Sequence, residues 1–190
     1  MPINVAAVSD ERQGLLAFLD QQRSAIRNAA YGLTDDQARK ATTGSTLSVG
    51  GLIKHVAAAE RNWIDKVLDT DVTDPGDYAA YMAGFHMTAD ETLADVLRLY
   101  DETATRTDTA MAGEADLGRA VTVPKGVPWF PDDPSVRWVL LHLIEETARH
   151  AGHLDIIRES LDGALAGSLM AAAEGSEPTD WVKPWKPAVS

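Results

Sequence analysis

The sequence predicts an all-α fold, a four-helix bundle with an irregular C-terminal tail, on three observations. Apolar residues recur at helical spacing and not at alternate positions. The periodic segments open on Ser or Thr, and the first and fourth stop at Gly32 and Gly163. Four of them run for about 20 to 28 residues, the length of bundle helices.

The first helix is expected from about Asp10 to Tyr31, behind an N-cap at Ser9 and stopped by Gly32, with Leu15, Leu16, Leu19 and Ile26 on its apolar face. A short turn opens at Thr34, where Thr-Asp-Asp-Gln37 has the capping-box form. After the loop from Thr42, Ser48 caps a second helix that reaches about Leu68. The third is expected to begin at a further capping box, Thr88-Ala-Asp-Glu91, and to continue to about Met111. The Pro- and Gly-rich loop from Val123 to Pro134 leads to the fourth, from near Ser135 to just before Gly163. Arg119–Val123 is a candidate short extended piece. Residues 1–173 are read as one bundle domain and 174–190 as an irregular strap, with three prolines and two tryptophans in its last part. The two longer connections leave the order of helix directions open.

Composition narrows the function. The chain has 190 residues, 45% hydrophobic and 24% charged, enough for one well-filled core. A net charge of -12 argues against a nucleic-acid surface, which needs clustered Lys and Arg. No window approaches a membrane span, and the first residues lack the basic and apolar regions of a signal peptide, so a cytoplasmic protein is expected. With no cysteine there is no thiolate ligand or nucleophile in the chain. Any sulfur chemistry must use a sulfur that a ligand brings.

The most informative stretch is Trp138-Val-Leu-Leu-His-Leu-Ile-Glu-Glu-Thr-Ala-Arg-His-Ala-Gly-His-Leu-Asp155, which holds three of the five histidines. At about 100° per residue, His142, Glu146, His150 and His153 share the face of Val139 and Ile157, while Glu145 falls on the flank. A carboxylate among apolar groups is costly unless it is paired or binds a cation. Glu146 and His150, four apart, are close enough to hold one ion. On the second helix His55 lies on the stripe Leu52, Val56, Ala59, Trp63 and Val67, and Ala57, Ala58 and Ala59 let a neighbouring helix approach. His55, Glu146 and His150 would supply three N/O ligands and leave a position open, as in catalytic sites. Zinc suits such a set best, and nickel, iron or cobalt are also admitted. A di-iron carboxylate bundle is excluded, because neither Glu145 nor Glu146 has His three residues on; so is a HExxH zinc site. A bundle whose ion only tightens the fold, a small-ligand or stress-response binding protein, and histidines hydrogen-bonded to Glu146 without metal all remain open. A fourth ligand from His142 or His153 would favour a structural ion.

The pieces Gly51-Leu-Ile-Lys-His55, Glu60-Arg-Asn-Trp63 and Glu146-Thr-Ala-Arg-His150-Ala-Gly-His-Leu-Asp-Ile-Ile-Arg-Glu159 resemble the DinB/YfiT-like superfamily of metal-binding four-helix bundles. Within it, the chain is similar to the actinobacterial branch of mycothiol-dependent maleylpyruvate isomerase and mycothiol S-transferases. The wider pattern has a His-x-x-x-His pair on the fourth helix. Glu146 replaces the first member here, as it does in the isomerase branch, and His153 falls where many relatives carry glutamine. The resemblance implies a zinc-like ion on His55, Glu146 and His150 that binds mycothiol as its thiolate for attack on an electrophile, a transferase or isomerase reaction of the detoxification kind. Thiolate is the nucleophilic form, so ionising the sulfur is most of the task. Asp155, His153 and Arg149 are candidates to support the ligands, Trp63 and Trp138 to line a pocket, and Arg149 and Arg158 to pair with acidic groups. For each, core packing or a surface ion pair is the competing reading. The partners expected are a small-molecule thiol and an electrophile, with the chain a monomer or homodimer. His86 is read as a loop residue.

Overall fold

The computed structural model describes residues 4–70, 78–127 and 130–187. Among them are seven helices and no strand. Helix α1 spans Glu11–Ala29, and its cap is Asp10, whose carboxylate accepts the Gln13 N–H at 2.8 Å. The expected cap, Ser9, lies one residue early because Ser and Asp cap almost equally well and stand side by side. Helix α2, Asp35–Arg39, forms behind the reciprocal Thr34–Gln37 capping box. Helix α3 spans Val49–Val67 with Ser48 as its cap, as expected. Helix α4, Tyr78–Ala83, was not foreseen. Helix α5, Leu93–Gly113, begins later than the sequence suggested, behind Thr92 and a reciprocal Asp95. Glu91 does accept the Thr88 N–H at 2.7 Å, but it also pairs with Lys54, so the Thr88 box closes a turn and opens no helix. Helix α6, Val136–Asp162, runs from Ser135 to Gly163, whose φ of 75° ends it in the left-handed region. Helix α7, Ala166–Ala173, is a further unforeseen element. At Arg119–Val123 the extended piece reduces to one antiparallel bridge, Ala120 to Ser135.

Side-chain pairs give the helix directions. Arg137 at the start of α6 pairs with Glu11 at the start of α1, and Arg158 near its end donates to the Tyr31 carbonyl just past α1, so α1 and α6 run parallel. Glu60 with Thr107 and Asp65 with Arg106 sit on α3 and α5, while Lys54 meets Glu91 ahead of α5, which makes those two parallel as well. His55 faces Glu146, and Trp63 faces Trp138, so α3 and α6 are antiparallel. The order is up, down, down, up. Only the connection from α3 to α5 is a crossover; it carries α4 along the bundle.

Two apolar clusters fill the interior, one around Ile26, Leu52, Tyr100 and Leu154, the other around Leu19, Trp63, Met111 and Leu140. Between them along each helix lies a polar layer: Arg23 on α1, Glu60 on α3, Thr103 and Thr107 on α5, and Glu146, Thr147 and His150 on α6. The crossover is pressed onto the start of α3 because Gly50 and Gly51 lack side chains. A Cβ on Gly51 would overlap the Phe85 carbonyl, and one on Gly50 would lie 2.6 Å from the Met87 sulfur. Beyond α7, residues 174–187 contain no helix, and the Trp185 ring covers Gly32 and meets Tyr31 edge-on at 6.2 Å. Among the described residues no helix is long and apolar enough to cross a membrane.

Candidate metal centre

The α3–α6 interface brings together the three residues singled out by spacing. Glu146 Oε1 lies 3.1 Å from His55 Nε2 and 3.2 Å from His150 Nε2. One donor atom from each residue falls within 4.8 Å of the others, a group that could hold a metal ion. Both histidines are buried. The helix phase is also as read from the sequence: the Glu146 side chain is 23% exposed and points into the bundle, whereas that of Glu145 is 63% exposed and pairs with Arg149. Hydrogen bonding to His150, and then to His55, holds the Glu146 carboxyl far below the usual carboxylate range, against the opposing effect of burial. No Lys or Arg faces this carboxylate among the described residues. Two imidazoles and one carboxylate are N/O donors of the kind that a divalent ion such as zinc takes.

The walls come from the crossover. Phe85 stacks on His55 with centroids 3.8 Å apart and planes at 17°, and Tyr81 meets the same ring edge-on at 5.7 Å. Burial, followed by the Glu146 charge, raises the pKa of the half-exposed Tyr81 hydroxyl. These two residues were missed at the level of sequence. The signal was present, since Tyr78, Tyr81 and Phe85 follow helical spacing within a segment taken as connection.

Other candidates separate by their contacts. His153 Nδ1 lies 3.3 Å from His150 Nδ1, on the side of the ring away from Glu146. His142 is not in the group of three; its ring stacks on Trp138 at 5.0 Å and lies edge-on to Trp63 at 5.2 Å. Trp63 and Trp138 therefore stand together one turn or more from the donors. Asp155 differs from expectation: it makes no hydrogen bond to an imidazole among the described residues, and burial followed by the nearby Glu159 raises its pKa. The side chain beside the far nitrogen of His150 is that of His153. Arg149 is tied in an exposed pair with Glu145 at 2.8 Å, and Arg158 is fully buried, bonded to Asp162 and to the carbonyls that end α1. Both arginines thus pair with acidic residues of α6, Arg149 at the surface and Arg158 in the interior. His86 is an exposed loop residue whose carbonyl accepts from Lys54.

A family model described as Mycothiol-S-transferase matches residues 14–163 of the chain. A solved structure, the conserved protein of a locus from Enterococcus faecalis, is 14% identical, covers 83% of this chain and 100% of its own, and superposes with a TM-score of 0.64. That likeness is one of fold. No curated protein matches the chain.

Proposed function

Because the chain belongs to the mycothiol S-transferase family of DinB/YfiT-like bundles, we propose that it uses one divalent ion on His55, Glu146 and His150 to transfer mycothiol sulfur to an electrophile. The observation that supports this best is Glu146, a carboxylate in the polar layer whose only partners among the described residues are two imidazoles. A half-buried carboxylate of that kind favours a cation beside it. A bound ion would supply Lewis acidity, lowering the pKa of an incoming thiol so that its sulfur is nucleophilic at neutral pH.

The chain's own groups account for the rest. If the Nε2 atoms of His55 and His150 held the ion, each ring would carry its proton on Nδ1. His150 Nδ1–H would then donate to His153 Nδ1, which would fix the tautomer and the ring plane. Phe85 fixes the plane of His55 by stacking, and with Tyr81 it excludes water on the crossover side. Exposure of Glu146 on the remaining side leaves an approach for the thiol. The cysteine-free chain takes its sulfur from that cosubstrate.

Cobalt substitution tests the reading. Adding mycothiol to the cobalt form is expected to produce an intense near-ultraviolet sulfur-to-cobalt absorption, with an apparent pKa below the free-thiol value of about 8.5. The response to glutathione should be weaker, because selectivity must come from the sugar part of mycothiol. A spectrum unmoved by saturating mycothiol, bacillithiol and glutathione would favour a purely structural ion.

A further inference from the structure

Along the α3–α6 seam the proposed centre is followed by the packed rings of Trp63, Trp138 and His142. On α3, Ala58, Ala59 and Asn62, all partly exposed, lie between His55 and Trp63 in the chain. On α6, His142 stands one turn before Glu146 on the same side of the helix, about 5–6 Å away between Cβ atoms. Its side chain is 28% exposed, held flat on Trp138 and against the edge of Trp63. Neither ring nitrogen makes a hydrogen bond among the described residues. The nearest carboxylate, Glu145, is 3.9 Å from Nδ1. An imidazole that is rigidly held, reached by solvent and free at its nitrogens is neither a core histidine nor one of the three donors.

We propose that His142 is the catalytic acid of the transfer, and that the electrophile lies along the partly exposed α3–α6 seam between the donors and the Trp63–Trp138 pair. The proposal rests on the thiol-transfer reading above. For an epoxide the step is as follows. The thiolate sulfur forms a bond to a ring carbon, the carbon–oxygen bond breaks with its electron pair going to oxygen, and the His142 imidazolium gives its proton to that oxygen. Solvent then returns a proton to the half-exposed ring. An alkyl halide needs no such proton, because halide leaves as a stable anion. The charged groups on its own helix nearest to His142 are Glu145, 3.9 Å from Nδ1, and Glu146 one turn on, and from α3 Lys66 packs on Phe130, a neighbour of Trp63.

The test uses the whole metal-loaded chain and His142→Gln. Metal content and the cobalt–mycothiol spectrum should be those of the parent. The ratio of epoxide to bromobimane turnover should fall roughly 10²-fold, within the range of general acid catalysis, through kcat and not KM, and the decline of epoxide turnover at alkaline pH should vanish. Tryptophan fluorescence gives a readout apart from activity. An unreactive epoxide analogue should change this emission in parent and variant alike, because its place lies beside Trp63 and Trp138, and no change in the parent would overturn the placing of the electrophile. Parallel loss with both electrophiles, or an unchanged ratio, would overturn the proposal. If the parent transforms neither electrophile and its cobalt form ignores thiol, the thiol-transfer reading itself fails, and the acid role with it.

Discussion

Glu60 and Glu146 lie in the same polar layer of one bundle, on α3 and α6, and the protein treats them in opposite ways. Glu60 is 1% exposed and wrapped by the chain itself: the Arg23 guanidinium grips it, Thr107 Oγ1 donates to it at 2.6 Å, and Arg23 extends to Asp108 at 2.9 Å. The result is a closed network that clamps α1, α3 and α5. Glu146 has no such cation among the described residues. It meets two imidazoles and keeps an opening to solvent. The difference separates a structural charge from a functional one: where the chain provides its own counter-ion the cluster holds helices, and where it provides only ligand atoms the charge is left for something that binds.

The largest effect should come from removing the counter-ion at the closed cluster. Arg23→Ala leaves a buried carboxylate uncompensated and is expected to cost about 3–5 kcal/mol in urea unfolding, while metal bound per folded chain stays at the parent level. Metal loss in that variant would merge the two clusters into one unit. The mirror-image change is Glu146→Ala or His55→Ala. Each should abolish most metal binding, yet the metal-free protein should lose only about 1 kcal/mol relative to the metal-free parent. In the same series His150→Ala should reduce occupancy more than His153→Ala, since His153 touches only the far side of the ligand ring.

A smaller effect concerns the crossover that walls the open cluster. The Lys54 hydrogen bond holds the Glu91 carboxyl below its usual value, burial working against it. A carboxyl whose folded pKa is depressed stabilises above its unfolded pKa, about 4.3, and that contribution disappears as the pH falls through the lower folded value. Glu91→Gln should therefore lower stability at neutral pH and match the parent in acid; an equal deficit at both ends of a pH series would show that packing and not charge is involved. Smallest of all is Glu145→Ala. It removes an exposed i,i+4 partner of Arg149 worth about 0.2–0.5 kcal/mol and should leave metal content unaltered, and a large metal loss there would mean that the wrong glutamate faces inward.

Much of this architecture is legible in the residues. Ser48, Ser135 and Gly163 mark real helix ends because side-chain caps and left-handed glycines act locally. The donor set is legible for the same reason, since Glu146 and His150 share a helix face by arithmetic alone. What escapes is non-local. The parallel pairing of α1 with α6 depends on where the crossover goes, and no periodicity encodes that. Helix α4 is six residues long, too short for its aromatic spacing to stand out from a connection, and it is the chain just after it, at Phe85 and Met87, that is held on α3 at Gly50 and Gly51. The Arg23–Glu60 clamp escapes because polar residues interrupting an apolar stripe look like surface until a partner helix is known, although Arg23 stands four after Leu19 and three before Ile26 on the buried side of α1.

The central claim is that the open cluster holds an ion and the closed one does not. Elemental analysis of the mildly purified protein alongside Glu146→Ala and Arg23→Ala tests it most directly. About one divalent ion per chain is expected in the parent and in folded Arg23→Ala, zinc being favoured by the donor set, with almost none in Glu146→Ala. A parent protein without metal, under conditions in which a control zinc enzyme keeps its own, would contradict the claim.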